Sequence, residues 1–300
     1  MGSITLWLNA DHMETCHKKT NHHGRLIVNK DKNMIATFKW YFKLYGMFLS
    51  QYLKALMHSR TDFFIGFLAF FLIQFGGIAF IALVFRQIPD LLGWSFYDLL
   101  FIYGFANIPR GLDHMFTDYL WLLAGNVIVE GEFDRYLLRP IHPLFQIIAQ
   151  RFQPDGIGEA IIGILLVVYA SIKGGILFTP GKIIIFIILV FFATVIYTSI
   201  KLSLASLAFW IKRSQSILFM FYSMSDFAKY PLAIYHKFIR TFITYIVPFA
   251  LTAYIPASYF LGASSLLKSM GLTVGISLIT LAIGLLMFHQ GMKQYESVGN

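Results

Sequence analysis

Residues Phe63 to Phe85 read FFIGFLAFFLIQFGGIAFIALVF. These 23 consecutive positions carry no ionisable side chain. A hydrocarbon layer about 30 Å thick is crossed by about 20 helical residues, so the stretch predicts a membrane-crossing helix. The rest of the chain has the same character. It is 57% hydrophobic and 13% charged, with a mean hydropathy of +0.67, whereas soluble domains carry roughly 25% charged residues. The sequence therefore predicts an all-α integral membrane protein, and its 17% aromatic content fits lipid-facing and interfacial surfaces.

The net charge of +9 has two readings, nucleic acid or an anionic membrane leaflet. Basic and aromatic residues are segregated here by the apolar runs, which assigns the charge to cytoplasmic loops and membrane lipids and excludes nucleic acid. Cys16 is the single cysteine, so neither an intrachain disulfide nor a cysteine metal site is expected. His12, His17, His22 and His23 match no ligand spacing, and no metal is predicted. Residues 1–33 lack the apolar core of a signal peptide and read as a flexible cytoplasmic tail.

The next segment, 34–60, reads as a helix lying in the membrane surface. Lys39, Lys43, Ser50, Lys54 and His58 share one face at 3.6 residues per turn, and the remainder is apolar and aromatic. A six-span transmembrane domain, 61–292, follows. Its spans are placed at Phe63–Phe85, Ser95–Leu123, Ile157–Ile172, Ile183–Ile211, from about Ser214, and Leu272–His289. Lys201 lies inside the fourth span, and Asp226, Lys229 and Pro231 interrupt the fifth. Between spans 5 and 6, Pro231, Pro248 and Pro256 divide an apolar stretch into short pieces. A re-entrant pair of helices fits it, with a seventh span as the alternative. With the N-terminus inside, inner segments hold fifteen Lys and Arg against seven outside. That places both termini, including a tail at 293–300, in the cytoplasm.

The first cytoplasmic loop then contains VEGEFDRYLLRP, Val129 to Pro140, with five ionised residues in twelve. Phe133, Tyr136 and Leu137 fall at i, i+3 and i+4, so they share a helix face. Glu132, Asp134, Arg135 and Arg139 flank that face, and Pro140 stops the helix. Such an element suits a groove on a soluble partner, or it packs on the chain's own cytoplasmic surface.

The run VEGEFDRYLLRPIHPLFQIIAQRFQPDGIGE, Val129 to Glu159, resembles the signature loop of ABC-2 type transporter permeases. YPLAIYHKFIR and VPFALTAYIPASYFLG resemble the same family before its last span. The resemblance implies a permease that pairs with itself or a related permease, above a dimer of separate cytoplasmic ATPase subunits. It makes Glu132, Phe133, Asp134, Arg135, Tyr136, Leu137, Leu138 and Arg139 a coupling helix. It also places the proline-spaced segment near the exit, in an exporter of the bacterial cytoplasmic membrane.

The chain itself is not expected to be an enzyme. A phosphate-cradling loop requires G-x-x-x-x-G-K-[ST]. The nearest string, GILFTPGKI at Gly175–Ile183, has an extra residue and lacks the hydroxyl residue. ATP and Mg²⁺ are thus expected on the partner subunit, with no cofactor in this chain. GASS, Gly262–Ser265, with His289, does not match an intramembrane serine protease.

The second span contains ANIPRGLDHMFTDYLW, Ala106 to Trp121. Asn107, Arg110, His114 and Asp118 form a stripe, and Asp113 is within pairing reach of Arg110. Charge at that depth is costly. The stripe lines a pathway, or it is a structural ion-pair network, or His114 relays protons. Beside the permease reading stand a self-contained transporter or channel, and a membrane immunity or scaffold protein without transport.

Overall fold

The computed structural model describes residues 43–47, 49–50, 60–88 and 90–297. The chain divides into two units, Met1–Met47 and Phe48–Asn300. In the first, 43–47 is helical with Lys43 exposed. The flexible tail and most of the basic stripe lie outside the described residues. In the second unit every element among the described residues is helical, apart from one isolated bridge between Leu91 and Trp94.

The helices are α1 (Arg60–Gln87), α2 (Phe96–Thr117), α3 (Asp134–Leu137), α4 (Pro143–Ala149), α5 (Asp155–Gly174), α6 (Pro180–Ser206), α7 (Gln215–Ser223), α8 (Lys237–Thr241), α9 (Tyr254–Phe260) and α10 (Leu266–Gln294). Among the described residues, three helical stretches are long and apolar enough to cross a membrane: Asp155–Gly174, Pro180–Ile211 and Leu266–Gln294. Within α1 the apolar helix Phe71–Gln87 is shorter. Ile161, Leu165, Val168 and Ile172 of α5, and Leu278, Ile279, Ile283 and Leu286 of α10, are exposed. Such continuous apolar faces are compatible with lipid rather than water.

Helix ends follow local chemistry. Ser95 caps α2 reciprocally: its Oγ accepts from the Asp98 N–H at 3.3 Å, and the Asp98 carboxylate accepts from the Ser95 N–H at 2.9 Å. The string GILFTPGK is a helix-to-helix joint. Gly175 closes α5 at φ +71°, a conformation that favours glycine. Thr179 caps α6, and Pro180 occupies its first turn, where a missing N–H costs nothing.

The close antiparallel packing of α2 on α5 rests on four glycines. Gly104 and Gly111 sit seven residues apart on α2, Gly156 and Gly163 seven apart on α5. A Cβ at Gly163 would stand 2.7 Å from the Gly104 carbonyl, and one at Gly111 2.6 Å from the Gly156 carbonyl. Only bare backbone fits there. In α1, Gln74 is buried and accepts from Tyr103 at 2.8 Å and Asn107 at 3.4 Å. Gly77, one turn on, leaves room for the Tyr103 ring.

The fifth predicted span is a nine-residue α-helix, α7, continued by a 3-10 turn at Met224–Lys229. Pro231 then forces Tyr230 into extended backbone, φ −125° and ψ 158°. Beyond it come a 3-10 turn Leu232–Ile234, α8 running into a π turn Phe242–Ile246, a buried 3-10 turn Phe249–Thr252 behind Pro248, and α9 with Pro256 in its first turn. No helix between Pro231 and Gly262 approaches the length of a span.

Candidate functional site

The α2–α5 glycine seam brings Arg110 and His114 against Glu159. Arg110 Nε lies 3.4 Å from Glu159 Oε1, and His114 Nδ1 lies 2.9 Å from Oε2. Arg110 also reaches across to the 3-10 turn after α7, where its Nη1 meets Asp226 Oδ1 at 2.7 Å. The same oxygen takes Lys229 Nζ at 2.9 Å. In a 3-10 helix residues i and i+3 eclipse, so Asp226 and Lys229 meet within one turn.

Asp113 has a different set of partners. The expectation that it pairs with Arg110 along α2 is corrected. Its carboxylate meets Lys201 Nζ of α6 at 2.6 Å, and both side chains are fully enclosed. Thr117 donates to Oδ1 at 2.6 Å, Thr198 to Oδ1 at 2.9 Å and Tyr222 to Oδ2 at 2.9 Å. Four donors fill the acceptor capacity of a carboxylate. Pairing on the helix surface loses here because α2 has protein on both polar faces. Arg110 and Asp113, only about 60° apart around the helix, each find partners on other helices.

Tyr222 links the two halves. Its hydroxyl serves Asp113, its ring stacks on His114 with centroids 5.6 Å apart, and Lys201 and Arg110 lie 5.2 Å and 5.6 Å from its centroid. Asn107 lies one turn from Arg110 at Gln74, and Asp118 at the end of α2 is 3.7 Å from Arg151. The stripe Asn107, Arg110, His114, Asp118 is therefore matched by Gln74, Asp226, Glu159 and Arg151. Glu159, Lys201, Tyr222, Asp226 and Lys229 were not among the predicted site residues. Lys201, alone in a long apolar run, was the signal for one of them.

The charged loop forms the second site. Gly131 turns the chain at φ +69°, and α3 follows. Phe133 and Tyr136 are fully buried, so of the two placements the pattern allowed these side chains take the one against the chain's own surface. Phe133 packs edge-on against Phe209 at 5.0 Å and Tyr295 at 4.9 Å, with Phe288 behind. Tyr136 donates to the Tyr119 hydroxyl at 3.0 Å, and Arg135 Nη2 donates to both phenols at 2.9 Å. Burial, and then the Tyr119 hydroxyl, push the Tyr136 phenol above the usual tyrosine range, so it stays protonated. Gln146 donates to the carbonyls of Tyr136 and Ile141, bracing α3 against α4. Asp134 accepts from Ser297 at 2.6 Å, and Glu132 pairs with Arg135 at 3.0 Å. From Gly131 to Pro140 the exposed residues are Arg135, Leu137, Leu138, Arg139 and Pro140, with Leu138 at 86%. An amphipathic pattern marks the inward side of such a helix but not which body covers it.

Among the described residues, an all-helical fold with three helical stretches long and apolar enough to cross a membrane is that of a polytopic membrane protein. The chain belongs to the ABC-2 family transporter proteins, whose family pattern matches residues 71–299. That span includes both sites. No curated protein and no solved structure matches it.

Proposed function

We propose that the chain is the permease subunit of an ATP-binding cassette exporter in a bacterial cytoplasmic membrane. It would form the translocation pathway with a second permease and be driven by a separate ATPase dimer, which carries the ATP and Mg²⁺. The six crossing segments are α1, α2 extended to Val127, α5, α6 with Ala208–Ile211, α7 with Met224–Lys229, and α10. The pieces from Leu232 to Phe260 are re-entrant on the outer side, and both termini are cytoplasmic.

The observation that carries the reading is Leu138, held almost fully exposed on a loop helix whose base is locked into the core by Phe133 and Tyr136. An aliphatic anchor carried on a rigid element suits a pocket on a partner. The docking face is thus Leu137, Leu138 and Arg139, while Glu132, Phe133, Asp134, Arg135 and Tyr136 hold it in place. A self-contained transporter or a scaffold gives such an anchor no partner.

The test is affinity purification of the full chain from its native membranes in mild detergent, with ATP hydrolysis measured in the eluate. Parent protein should carry an orthovanadate-sensitive ATPase, and Leu138→Asp should elute intact without it. Equal hydrolysis in both eluates would defeat the assignment.

A further inference from the structure

Asp226 is the exposed member of a cluster whose other members are enclosed. Its side chain is 56% exposed, against 19% for Arg110, 5% for Glu159 and 12% for Lys229. Both cations converge on a single oxygen, Oδ1, at 2.7 Å and 2.9 Å. Two enclosed cations pointed at one oxygen form a seat for an oxyanion, and the carboxylate in it hangs from a single 3-10 turn. Resting on the permease reading above, we infer that Asp226 is a tethered stand-in for the head group of the transported molecule. That molecule is an amphipath bearing a carboxylate or a phosphate.

The sign follows from a count of charges. Arg110 and Lys229 give +2, and Glu159 and Asp226 give −2, so the seated cluster is neutral. Asp113 and Lys201 cancel each other. If Asp226 swings outward, Arg110 and Lys229 are left with Glu159 alone, at +1. An uncompensated charge in an enclosed setting is costly and calls for an anion to replace the one that left.

A cationic substrate has no equivalent route. It would have to displace Arg110 or Lys229, the two enclosed members, and Arg110 is held at its Nε side by Glu159 as well. Guanidinium geometry favours oxyanions, since its donors form a fork that matches carboxylate and phosphate oxygens. The apolar part of the molecule has surface beside the seat: Phe227 follows Asp226 directly, is exposed, and packs edge-on against Tyr235 at 5.4 Å.

The experiment uses the full chain in a maltoside detergent and three probes with the same dodecyl tail: laurate, dodecyl phosphate and dodecyltrimethylammonium. Binding is read by thermophoresis below each probe's micellar concentration. Asp226→Asn removes the stand-in's charge and should tighten binding of at least one anion about tenfold, with no gain for the ammonium. Adding Arg110→Gln should cancel that gain. A gain for laurate alone identifies a carboxylate seat, and for dodecyl phosphate alone a phosphate seat. Should Asp226→Asn fail to fold, Lys229→Gln supplies the same test by weakening anion binding about tenfold. Unchanged anion affinity in the folded variants, or tighter binding of the ammonium than of both anions, overturns the inference. Retained ATPase co-purification beside that result would leave the permease reading intact.

Discussion

Replacing Lys201 by methionine isolates the enclosed ion pair. The side chain keeps most of its length, so the packing loss is small, and the Asp113 carboxylate loses its cation at 2.6 Å. Removing one partner of a buried pair costs about 3–5 kcal/mol, because the remaining charge stays buried without compensation. Three hydroxyls, from Thr117, Thr198 and Tyr222, still solvate Asp113, which places the expected loss near the lower figure, about 3 kcal/mol. Chains of 150–250 residues shift their unfolding midpoint by roughly 2–4 °C per kcal/mol, so the apparent midpoint should fall by roughly 6–12 °C. The assay is size-exclusion of detergent-solubilised protein after a heating series. Adding Asp113→Asn should recover much of the loss, since the double variant strands no charge. Lys173→Met, at an exposed position, serves as the control. A Lys201→Met protein as heat-resistant as the parent would refute the pairing of α2 with α6 through these two residues.

Gly156→Ala should destabilise by about 1–3 kcal/mol through overpacking, because its Cβ would stand 2.7 Å from the Met115 backbone nitrogen. Gly76→Ala, with nothing within 4 Å, should be neutral or raise the midpoint in the same heating series. Tyr136→Ala empties a fully buried site and should cost about 3–5 kcal/mol, the range for large aromatic truncations, whereas Leu138→Asp should leave the midpoint unchanged. Equal midpoints for those two loop variants would refute the inward placement of Tyr136.

The apolar helices were legible from their runs alone, since a stretch without charge long enough to cross a bilayer leaves few other folds. Gln74 shows what the same reading cannot supply. One polar side chain in an apolar helix signals a partner, but its partners, Tyr103 and Asn107, belong to the next helix. The fifth segment was legible only as interrupted: Asp226, Lys229 and Pro231 marked the break, while the 3-10 turn depends on packing. In the loop, the i, i+3 pattern identified Phe133 and Tyr136 as one face. It was silent on whether a partner or the chain's own Phe209 and Tyr295 would cover it, because an apolar face satisfies either. Arg110 with Asp113 failed for the opposite reason. Neighbours along a helix are the obvious pair from sequence, yet partners on distant helices, among them Asp226, 116 residues from Arg110, and Tyr222, 109 residues from Asp113, won at both positions, and only the tertiary fold brings those together.

The two sites share two helices, and this decides what can move. α2 carries Asp113 and ends near Tyr119, which holds Tyr136. α6 carries Lys201 and continues through Ala208–Ile211, whose Phe209 holds Phe133. At 1.5 Å per residue the loop helix acts about 9 Å from Asp113 on α2 and about 12 Å from Lys201 on α6. A force on the loop therefore reaches both helices, and the enclosed pair resists any slip between them. Breaking that pair is costly, so α2 and α6 should travel together, with α5 joined through the glycine seam and α10 packed on α6. The weaker joint is Arg110 with Asp226, where the acceptor is exposed and its backbone is a single 3-10 turn. Spin labels test this hypothesis on a Cys16→Ser background in the proposed complex with an ATPase. Labels at Ile161→Cys and Leu278→Cys, both exposed, should keep their separation when ATP is added. Labels at Ile161→Cys and Phe227→Cys should change theirs by several ångströms. If the first pair moves and the second stays fixed, the rigid unit has been drawn around the wrong helices.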